Sequence, residues 1–291
     1  MIPIIKQLSV TVYCCLLFSI SGIGQSNDDI KLGIAPVEPF RIVGNIYYVG
    51  SSDLTSYLIV TSKGNILIDG GMKEMVPQVV ANISKLGFRL EDTKIILNSH
   101  AHFDHAGGIA ELRRLTKAKF LASELDAPLL RRGGVDDPNF DNRFPFEPTI
   151  PDETFVSGRK VKLGGTELIA NVTSGHTKGC TTWTTVANEA GKKLNVIFVC
   201  SVSSPGYKLV GNDKYADIEN DYLRSFRWFK NAKVDVFLAS HAGFFDLESK
   251  RKQVGTGKVN PFVDSRGYRE FIESNEETFV EKLRSQKSGS K

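Results

Sequence analysis

The stretch of sequence that decides the fold lies about one third of the way along the chain and reads Asn98-Ser99-His100-Ala101-His102-Phe103-Asp104-His105-Ala106-Gly107-Gly108. Three imidazoles and a carboxylate within six positions are what two adjacent metal ions need. The chain has five histidines in all, and the other two, His176 and His241, each lie in a short loop-like segment. Every histidine of the chain can therefore be assigned to one metal site.

The spacing of the donors divides them between two ions. In an extended segment the side chains at i and i+2 point the same way, so His100 and His102 can hold one ion. Asp104 and His105 lie beyond the bend and point at a second position. The donors then form two sets of three. The first triad is His100, His102 and His176, and the second triad is Asp104, His105 and His241.

The donor types indicate the metal and the kind of site. Mixed nitrogen and oxygen donors without a thiolate favour zinc over copper or magnesium, and they leave iron and manganese open. A structural zinc site is closed by four protein ligands, whereas each triad supplies three and leaves a place for water. Two catalytic zinc ions per chain are therefore favoured over a non-catalytic zinc-binding protein.

Composition describes an ordinary globular protein. The chain has 291 residues, of which 41% are hydrophobic and 24% are charged. The net charge of +4 is modest, and no basic run indicates a nucleic-acid partner. We expect a monomer that acts on a small molecule.

Residues 1–24 have the features of a signal peptide. Lys6 gives a sparse positive start, residues 8–20 are an apolar run, and Gly22-Ile23-Gly24 is a small-x-small cleavage site. A membrane anchor is the alternative, but the apolar run is short and is interrupted by polar residues. We expect cleavage before Gln25, a single domain at residues 25–291, and a periplasmic protein that is not attached to the membrane.

The rest of the chain alternates between strand and helix patterns. Strands are predicted at residues 42–49, 55–60, 65–69, 94–97, 120–122, 160–163, 167–172, 181–186, 194–199 and 234–239, with antiparallel pairing among the first three. Helices are predicted at residues 75–86, 107–117, 124–131, 218–229 and 266–283. Two strand-rich halves, each followed by helices and each donating histidines, predict a sandwich of two sheets with helices outside. The metal would lie along the shared edge.

Residues 132–157, which we call the phenylalanine-rich loop, break this pattern. Four prolines alternate there with Phe140, Phe144, Phe146 and Phe155. A long irregular segment in a compact enzyme often faces the substrate. The alternative is a surface strap whose phenylalanines fill the core beneath it.

Together with residues 98–108, two further segments carry a family resemblance: Ser174-Gly175-His176-Thr177 and Ser201-Val202-Ser203-Ser204-Pro205-Gly206-Tyr207. The chain resembles the metallo-β-lactamase superfamily, and subclass B3 in particular, over nearly the whole mature length. The resemblance implies an α+β fold, a four-layered αβ/βα sandwich with a dinuclear zinc site at one edge. It also implies the same division of ligands into the two triads.

The resemblance implies hydrolysis of the β-lactam ring of penicillins, cephalosporins and carbapenems by a metal-bound hydroxide, and thereby antibiotic resistance. Asp104 would be catalytic, because it would both ligate a metal and orient the hydroxide. Ser201 and Ser203 would bind the substrate carboxylate. A simple turn before Pro205 is the alternative explanation for these serines.

Other reactions on this scaffold are discriminated by single positions. Thioesterases and lactonases of the superfamily carry a bridging aspartate after the penultimate strand, whereas residues 199–203 here contain no carboxylate. Iron-dependent oxidoreductases carry glutamate where this chain has His102. An exported hydrolase that acts on lactones or thioesters remains the alternative.

Signal cleavage would leave two cysteines, Cys180 and Cys200. In an oxidising compartment they can pair, or they can remain two separately buried thiols. Cys200 is not predicted to be a ligand, because Ser201 occupies the position at which other subclasses have a ligating cysteine, and His105 takes that role.

Overall fold

The structure, a computed structural model, describes residues 33–257 and 259–289. The predicted signal peptide and its cleavage site lie outside the described residues. Among the residues described, no helix combines the length and the apolar character needed to cross a lipid bilayer.

Two sheets contain the strands. The first sheet has the order β1-β2-β3-β4-β5-β6-β7 and the second has the order β12-β11-β10-β9-β8. The strands of the first sheet are β1 (Phe40–Val43), β2 (Ile46–Tyr48), β3 (Tyr57–Thr61), β4 (Gly64–Ile68), β5 (Thr93–Leu97), β6 (Lys119–Ser123) and β7 (Glu153–Phe155). The strands of the second sheet are β8 (Lys160–Leu163), β9 (Thr166–Val172), β10 (Thr181–Glu189), β11 (Lys192–Val199) and β12 (Val236–Ala239).

Helices cover the outer faces of the sheets. They are α1 (Val76–Lys85), α2 (Phe103–Ala106), α3 (Ile109–Thr116), α4 (Ala127–Arg131), α5 (Ile218–Asn231), α6 (Leu247–Gln253) and α7 (Ser265–Gly289). Short 3₁₀ turns lie at Lys73–Met75, Leu90–Asp92 and Ala242–Phe245. Apolar residues at helical spacing turn one face of α1, α3, α5 and α7 inward.

Alternation along the strands of the first sheet builds two cores. Leu67 of β4 packs with Val79 of α1 and Leu112 of α3 on the outer face. Its neighbours Ile66 and Ile68 point the other way, toward the second sheet. Side chains two residues apart share a face of a strand, so one sheet separates the two cores.

Aromatic contacts join the two sheets and the far helices. The rings of Tyr57 and Phe198 lie 5.0 Å apart across the sheets. On the far side of the second sheet, the rings of Phe226 in α5 and Phe279 in α7 lie 5.7 Å apart. The layers therefore follow the order helix, sheet, sheet, helix, as the sequence predicts.

Several predicted boundaries were wrong for identifiable reasons. The predicted strand 42–49 is two strands, because Gly44 has a left-handed φ of 52° and turns the chain between β1 and β2. The predicted helix 124–131 begins only at Ala127, where Pro128 fits the first turn without needing an N–H donor. The short helix α6 was not predicted.

Pairing is antiparallel from β1 to β4, as predicted, and parallel from β4 to β7. In the second sheet β11 and β12 are also parallel. Parallel strands bring their carboxyl ends to the same edge of a sheet, which is where ligands bind in α/β sheets. The segments after β4, β5, β6, β11 and β12 therefore meet along one edge.

Hydrogen bonds between the two halves fix this edge. The indole of Trp183 donates to the carbonyl of Asn98 at 3.1 Å, and the backbone N–H of Thr181 donates to the carbonyl of Ser99 at 2.7 Å. The hydroxyl of Tyr57 donates to the carbonyl of Ala239 at 2.6 Å. The two sheets are thus held in register directly beside the predicted metal ligands.

Candidate metal centre

Four separate segments deliver the six predicted ligands to the shared edge. His100 and His102 follow β5, and Asp104 and His105 lie on the short helix α2. His176 lies between β9 and β10, and His241 follows β12. The structure therefore brings all of the predicted ligands together.

A glycine allows the His176 segment to approach closely. Gly175 has a φ of 139°, and a Cβ built there would lie 2.8 Å from the ring of Tyr222. A residue with a side chain would meet both backbone strain and a steric clash at this position. Gly175 thus lets the segment pack against α5 and places His176 beside the other histidines.

The first triad is compact and buried. Its three histidines are 1%, 5% and 6% exposed in chain order. The Nδ1 of His102 lies 3.1 Å from the Nε2 of His176, and one donor atom from each histidine lies within 4.8 Å of the others. These three imidazoles can converge on one ion.

The second triad has the spacing of a tetrahedral site. The Nε2 atoms of His105 and His241 lie 3.3 Å apart. A carboxylate oxygen of Asp104 lies 3.5 Å from the first of these nitrogens and 3.7 Å from the second. Bonds of about 2.0–2.1 Å in a tetrahedron place neighbouring donors about 3.3 Å apart, so the donors fit zinc.

The two triads are adjacent. The rings of His100 and His105 lie 4.2 Å apart, and donor atoms of His100, Asp104 and His105 also lie within 4.8 Å of one another. Two ions held by these triads would therefore be close neighbours, as the sequence predicts.

Each histidine has its remaining ring nitrogen beside a polar partner. Three are hydrogen-bond partners: the Ser99 hydroxyl for His100 at 2.9 Å, the Ser203 carbonyl for His176 at 2.8 Å, and Asp53 for His241 at 2.9 Å. The other two are carboxylates at 3.4 Å that form no hydrogen bond with the ring, Asp137 for His102 and Asp69 for His105. Metal-binding histidines in proteins are usually held in this way, which fixes the ring orientation. The arrangement supports a metal site over a packed cluster of core histidines.

Electrostatics keep the first triad ready for a cation. Burial lowers the pKa of His100, and the nearby His105 lowers it further. Burial also lowers the pKa of His176, and the neighbouring His102 adds to the effect. Both rings are therefore neutral at pH 7, which is the form that ligates a metal.

The second triad is more polar. Burial acts to raise the pKa of Asp104, but the charge of His105 and a hydrogen bond with it outweigh burial and hold the pKa well below its usual range. Burial acts to lower the pKa of His105, and the carboxylates of Asp104 and Asp69 reverse this, raising the pKa to about 10. A proton on His105 thus occupies the place that a metal cation would take.

The two predicted substrate-binding serines lie side by side, but not on a strand. Their hydroxyl oxygens are 3.1 Å apart, and residues 200–204 are irregular. Ser201 is buried and Ser203 is half-buried. The carbonyl of Ser203 accepts from His176 at 2.8 Å, so this segment borders the first triad directly.

Cys180 and Cys200 form a disulfide, with sulfur atoms 1.99 Å apart. Neither residue lies on a strand: Cys180 immediately precedes β10 and Cys200 immediately follows β11. Both sulfurs are thus engaged with each other, and neither is a free thiolate for a metal.

The phenylalanine-rich loop has features of both a segment that faces the substrate and a strap whose phenylalanines fill the core. Phe140 lies 5.0 Å from the ring of His102 and 5.4 Å from that of Tyr207, and Phe144 stacks on Phe103 at 4.8 Å. Phe155 is instead buried in the core between the sheets. The middle of the loop borders the metal centre, whereas its end is structural.

Sequence reasoning missed the carboxylates that hold the ligands, above all Asp69 and Asp126. Each follows a buried strand, β4 and β6 respectively, on either side of the strand that delivers the histidines. Parallel pairing of these strands places both aspartates at the same edge, but the sequence pattern predicts no pairing partner for the strands at residues 94–97 and 120–122. Asp137 lies within the irregular loop and had no comparable sequence signal.

The sequence of the chain matches the profile of one protein family. The profile of the metallo-beta-lactamase superfamily matches residues 53–190. This range includes five of the six predicted ligands and ends before His241.

Solved structures match over most of the chain. The native FEZ-1 metallo-beta-lactamase from Legionella gormanii has a TM-score of 0.85 and 44% identity, covering 87% of this chain and 98% of that one. BJP-1, a subclass B3 metallo-beta-lactamase of Bradyrhizobium japonicum, has a TM-score of 0.85 and 36% identity, with coverage of 90% and 100%. GOB-18 from Elizabethkingia meningoseptica has a TM-score of 0.81 and 38% identity, with coverage of 87% and 94%.

A further match is local. An N-acyl homoserine lactonase from Bacillus cereus is 33% identical over 75 residues, which cover 18% of this chain and 30% of the lactonase. The match therefore spans less than a third of that enzyme.

Proposed function

Because the chain belongs to the metallo-β-lactamase superfamily and is similar to its subclass B3 structures over most of its length, we propose that it hydrolyses β-lactam antibiotics with two zinc ions. The observation that carries the proposal is the 44% identity with a β-lactamase over 98% of that chain, in a chain whose six donors lie near one another in two groups of three. Penicillins, cephalosporins and carbapenems are the proposed substrates, and antibiotic resistance is the proposed consequence.

Each triad would hold one zinc ion. When bound, zinc supplies Lewis acidity and lowers the pKa of a coordinated water to about 7. The donor spacings of 3.3 to 3.7 Å in the second triad support this assignment. Hydrogen bonds to His100, His176 and His241 would keep these three rings oriented before the metal arrives.

Asp104 would orient the attacking water. Its carboxylate stays ionised at neutral pH, because its pKa lies well below the usual range. An ionised oxygen beside both triads can accept a hydrogen bond from water and hold it for attack on the lactam carbonyl. We therefore assign Asp104 both a ligand role and a catalytic role.

Ser201 and Ser203 would donate hydrogen bonds to the carboxylate that β-lactams carry. Their hydroxyls are adjacent, and the same segment contacts His176. Tyr207 and Phe140 form an apolar wall beside the first triad. This wall would keep bulk water away from the bound ring.

The protein would be exported to the periplasm and act there as a monomer. The predicted signal peptide at residues 1–24, the single domain at residues 25–291 and the disulfide between Cys180 and Cys200 support this location. Disulfides form and persist in oxidising compartments such as the bacterial periplasm.

A spectrophotometric assay with a carbapenem, a penicillin and an acyl-homoserine lactone tests the proposal. We expect turnover of the two β-lactams, loss of turnover in a chelator, and recovery when zinc is restored. Hydrolysis of the lactone alone would contradict the proposal and favour the lactone-acting alternative, to which the local lactonase match points.

A further inference from the structure

Asp126 is a buried carboxylate to which the proposed chemistry gives no role. It follows β6 and is 2% exposed. Burial raises its pKa, and the hydrogen bonds that it accepts offset only part of that rise. A charged group is seldom buried without a structural reason, because removing it from water is costly unless donors satisfy it.

The donors to Asp126 come from the two loops that carry the first triad. One carboxylate oxygen accepts from the backbone N–H of Ala101 at 3.0 Å and from the hydroxyl of Thr177 at 2.7 Å. The other accepts from the backbone N–H of Gly179 at 2.7 Å. Ala101 lies between His100 and His102, and Thr177 follows His176.

Gly179 provides a second, independent indication that this contact is specific. A Cβ built there would lie 2.5 Å from the backbone nitrogen of Asp126 and 2.7 Å from its Cγ. Gly179 is not among the residues with positive φ, so alanine would lack space rather than backbone freedom. The His176 loop can approach Asp126 only because this residue has no side chain.

We propose that Asp126 is a positioning residue that clamps the His100–His102 loop to the His176 loop and so sets the distance between the ligands of the first metal. The proposal rests on the proposed function only in assuming that the first triad binds a metal. His105 and His241 of the second triad lie beside Asp69 and Asp53 instead. The carboxylate of Asp126 accepts hydrogen bonds only from residues that flank the first triad, so we expect the clamp to act mainly on the first metal site.

Asparagine cannot replace Asp126 in this role. The two carboxylate oxygens each face a backbone N–H, one from Ala101 and one from Gly179. Whichever way an amide is turned, its NH₂ group meets a backbone donor, so one link between the loops is lost. Asp126→Asn thus preserves shape while breaking the clamp.

The test is a zinc titration of the metal-free full-length mature protein, with a chelator as competitor and no substrate present. The binding steps are assigned with His176→Ala and His241→Ala, which each remove one donor from one triad. We expect Asp126→Asn to weaken the first site by about 10-fold or more while the second site changes by less than about twofold. Asp235→Asn is the matched control, because that carboxylate also accepts a backbone N–H, from Asn195 at 2.7 Å, outside the triads.

Three further variants keep the proposal testable if Asp126→Asn does not fold. Thr177→Val removes one bond to Asp126, whereas Thr177→Ser keeps it, so only the valine variant should weaken the first site. Gly179→Ala should weaken it by crowding Asp126 without altering the carboxylate.

Equal losses at both sites, together with a lower melting temperature, would reduce Asp126 to a purely structural role and overturn the proposal. Unchanged first-site affinity in folded variants would overturn it as well. Failure of the wild-type holoprotein to hydrolyse β-lactams would contradict the proposed function but leave this result standing, because the titration measures metal alone.

Discussion

The two triads lie side by side but in different electrostatic surroundings. The first consists of three imidazoles that are nearly inaccessible to solvent, and one of its orienting partners is a hydroxyl and another a backbone carbonyl. The second contains a carboxylate, and two more carboxylates, Asp69 and Asp53, orient its histidines. Its His241 and Asp104 side chains are 24% and 21% exposed.

If both triads hold zinc as proposed, this difference implies that the two ions bind under different electrostatic conditions. His100 and His176 of the first triad are neutral before a metal arrives, so neither has to release a proton at pH 7. The second triad carries a proton on His105 that the metal must displace, and excess negative charge that the metal compensates. We therefore expect the second triad to be the more pH-sensitive and the more exchangeable site.

The largest expected effect on activity follows from removing the carboxylate of Asp104. The second triad contains this carboxylate, and the first triad has no carboxylate among its ligands. Asp104→Asn should lower kcat by about 100-fold or more, because the variant loses both a metal ligand and the group that orients water. KM should change far less, since the substrate carboxylate is assigned to other residues. Steady-state kinetics on a penicillin measure both, with the exposed Asp213→Asn as control, and a loss confined to KM would contradict the assignment.

The pH dependence of metal binding should separate the triads next. The pKa of His105 is raised to about 10, so in the metal-free protein this ring is protonated across neutral pH. A metal competes with that proton, and apparent affinity falls by about tenfold for each pH unit below the pKa. Between pH 8 and pH 6 the second site should weaken by about 100-fold.

Over the same interval the first site should change little, because the pKa values of His100 and His176 are lowered. Zinc titrations with a competing chelator at both pH values make the comparison. Parallel pH slopes at the two sites would show that the electrostatic difference does not control binding.

Orienting carboxylates give a smaller, site-specific effect. Asp53 accepts a hydrogen bond from His241 at 2.9 Å, so Asp53→Ala should weaken the second site by about 10- to 100-fold. Asp53→Asn retains an acceptor oxygen and should recover much of the loss. Asp137, which lies 3.4 Å from His102, should show the complementary behaviour, with Asp137→Ala weakening only the first site.

Metal titrations of these variants read out the two sites separately. If Asp53→Ala and Asp137→Ala weakened the same site, the division of orienting partners between the triads would be wrong.

The smallest effect on either triad is expected from the disulfide. Cys200→Ser should leave two zinc ions bound, because the proposed ligands of the second site include His105 and no cysteine. Stability should nevertheless fall by roughly 3 kcal/mol, since the bond closes a loop between residues 20 apart in sequence. Elemental analysis and denaturant unfolding measure the two quantities, and the Cys180→Ser/Cys200→Ser double variant controls for an unpaired thiol.

The loss of one metal equivalent in Cys200→Ser would place a cysteine in the second site after all.

The convergence of the six donors could be predicted from sequence because their chemistry is concentrated in a few residues. All five histidines of the chain meet at the candidate site, and the spacing of His100, His102 and His105 already divides these three between two groups. The layered architecture followed from the alternation of strands and helices in two halves. Boundaries failed where a single residue decides them, as at Gly44 and Pro128.

The orienting residues could not be predicted, because their roles depend on strand pairing. Asp69 and Asp126 reach the site because β4, β5 and β6 pair in parallel. An isolated aspartate after a strand does not reveal how that strand pairs. Asp53 reaches His241 across 188 positions of sequence. Such contacts form only when the two sheets meet at their shared edge, so no local sequence pattern predicts them.

Anomalous diffraction at the zinc edge from crystals of the zinc-loaded protein tests the central claim most directly. We predict two peaks, one among His100, His102 and His176 and the other among Asp104, His105 and His241. A single peak, or a peak at which His176 or His241 is not a ligand in a protein that still opens the β-lactam ring, would contradict the account.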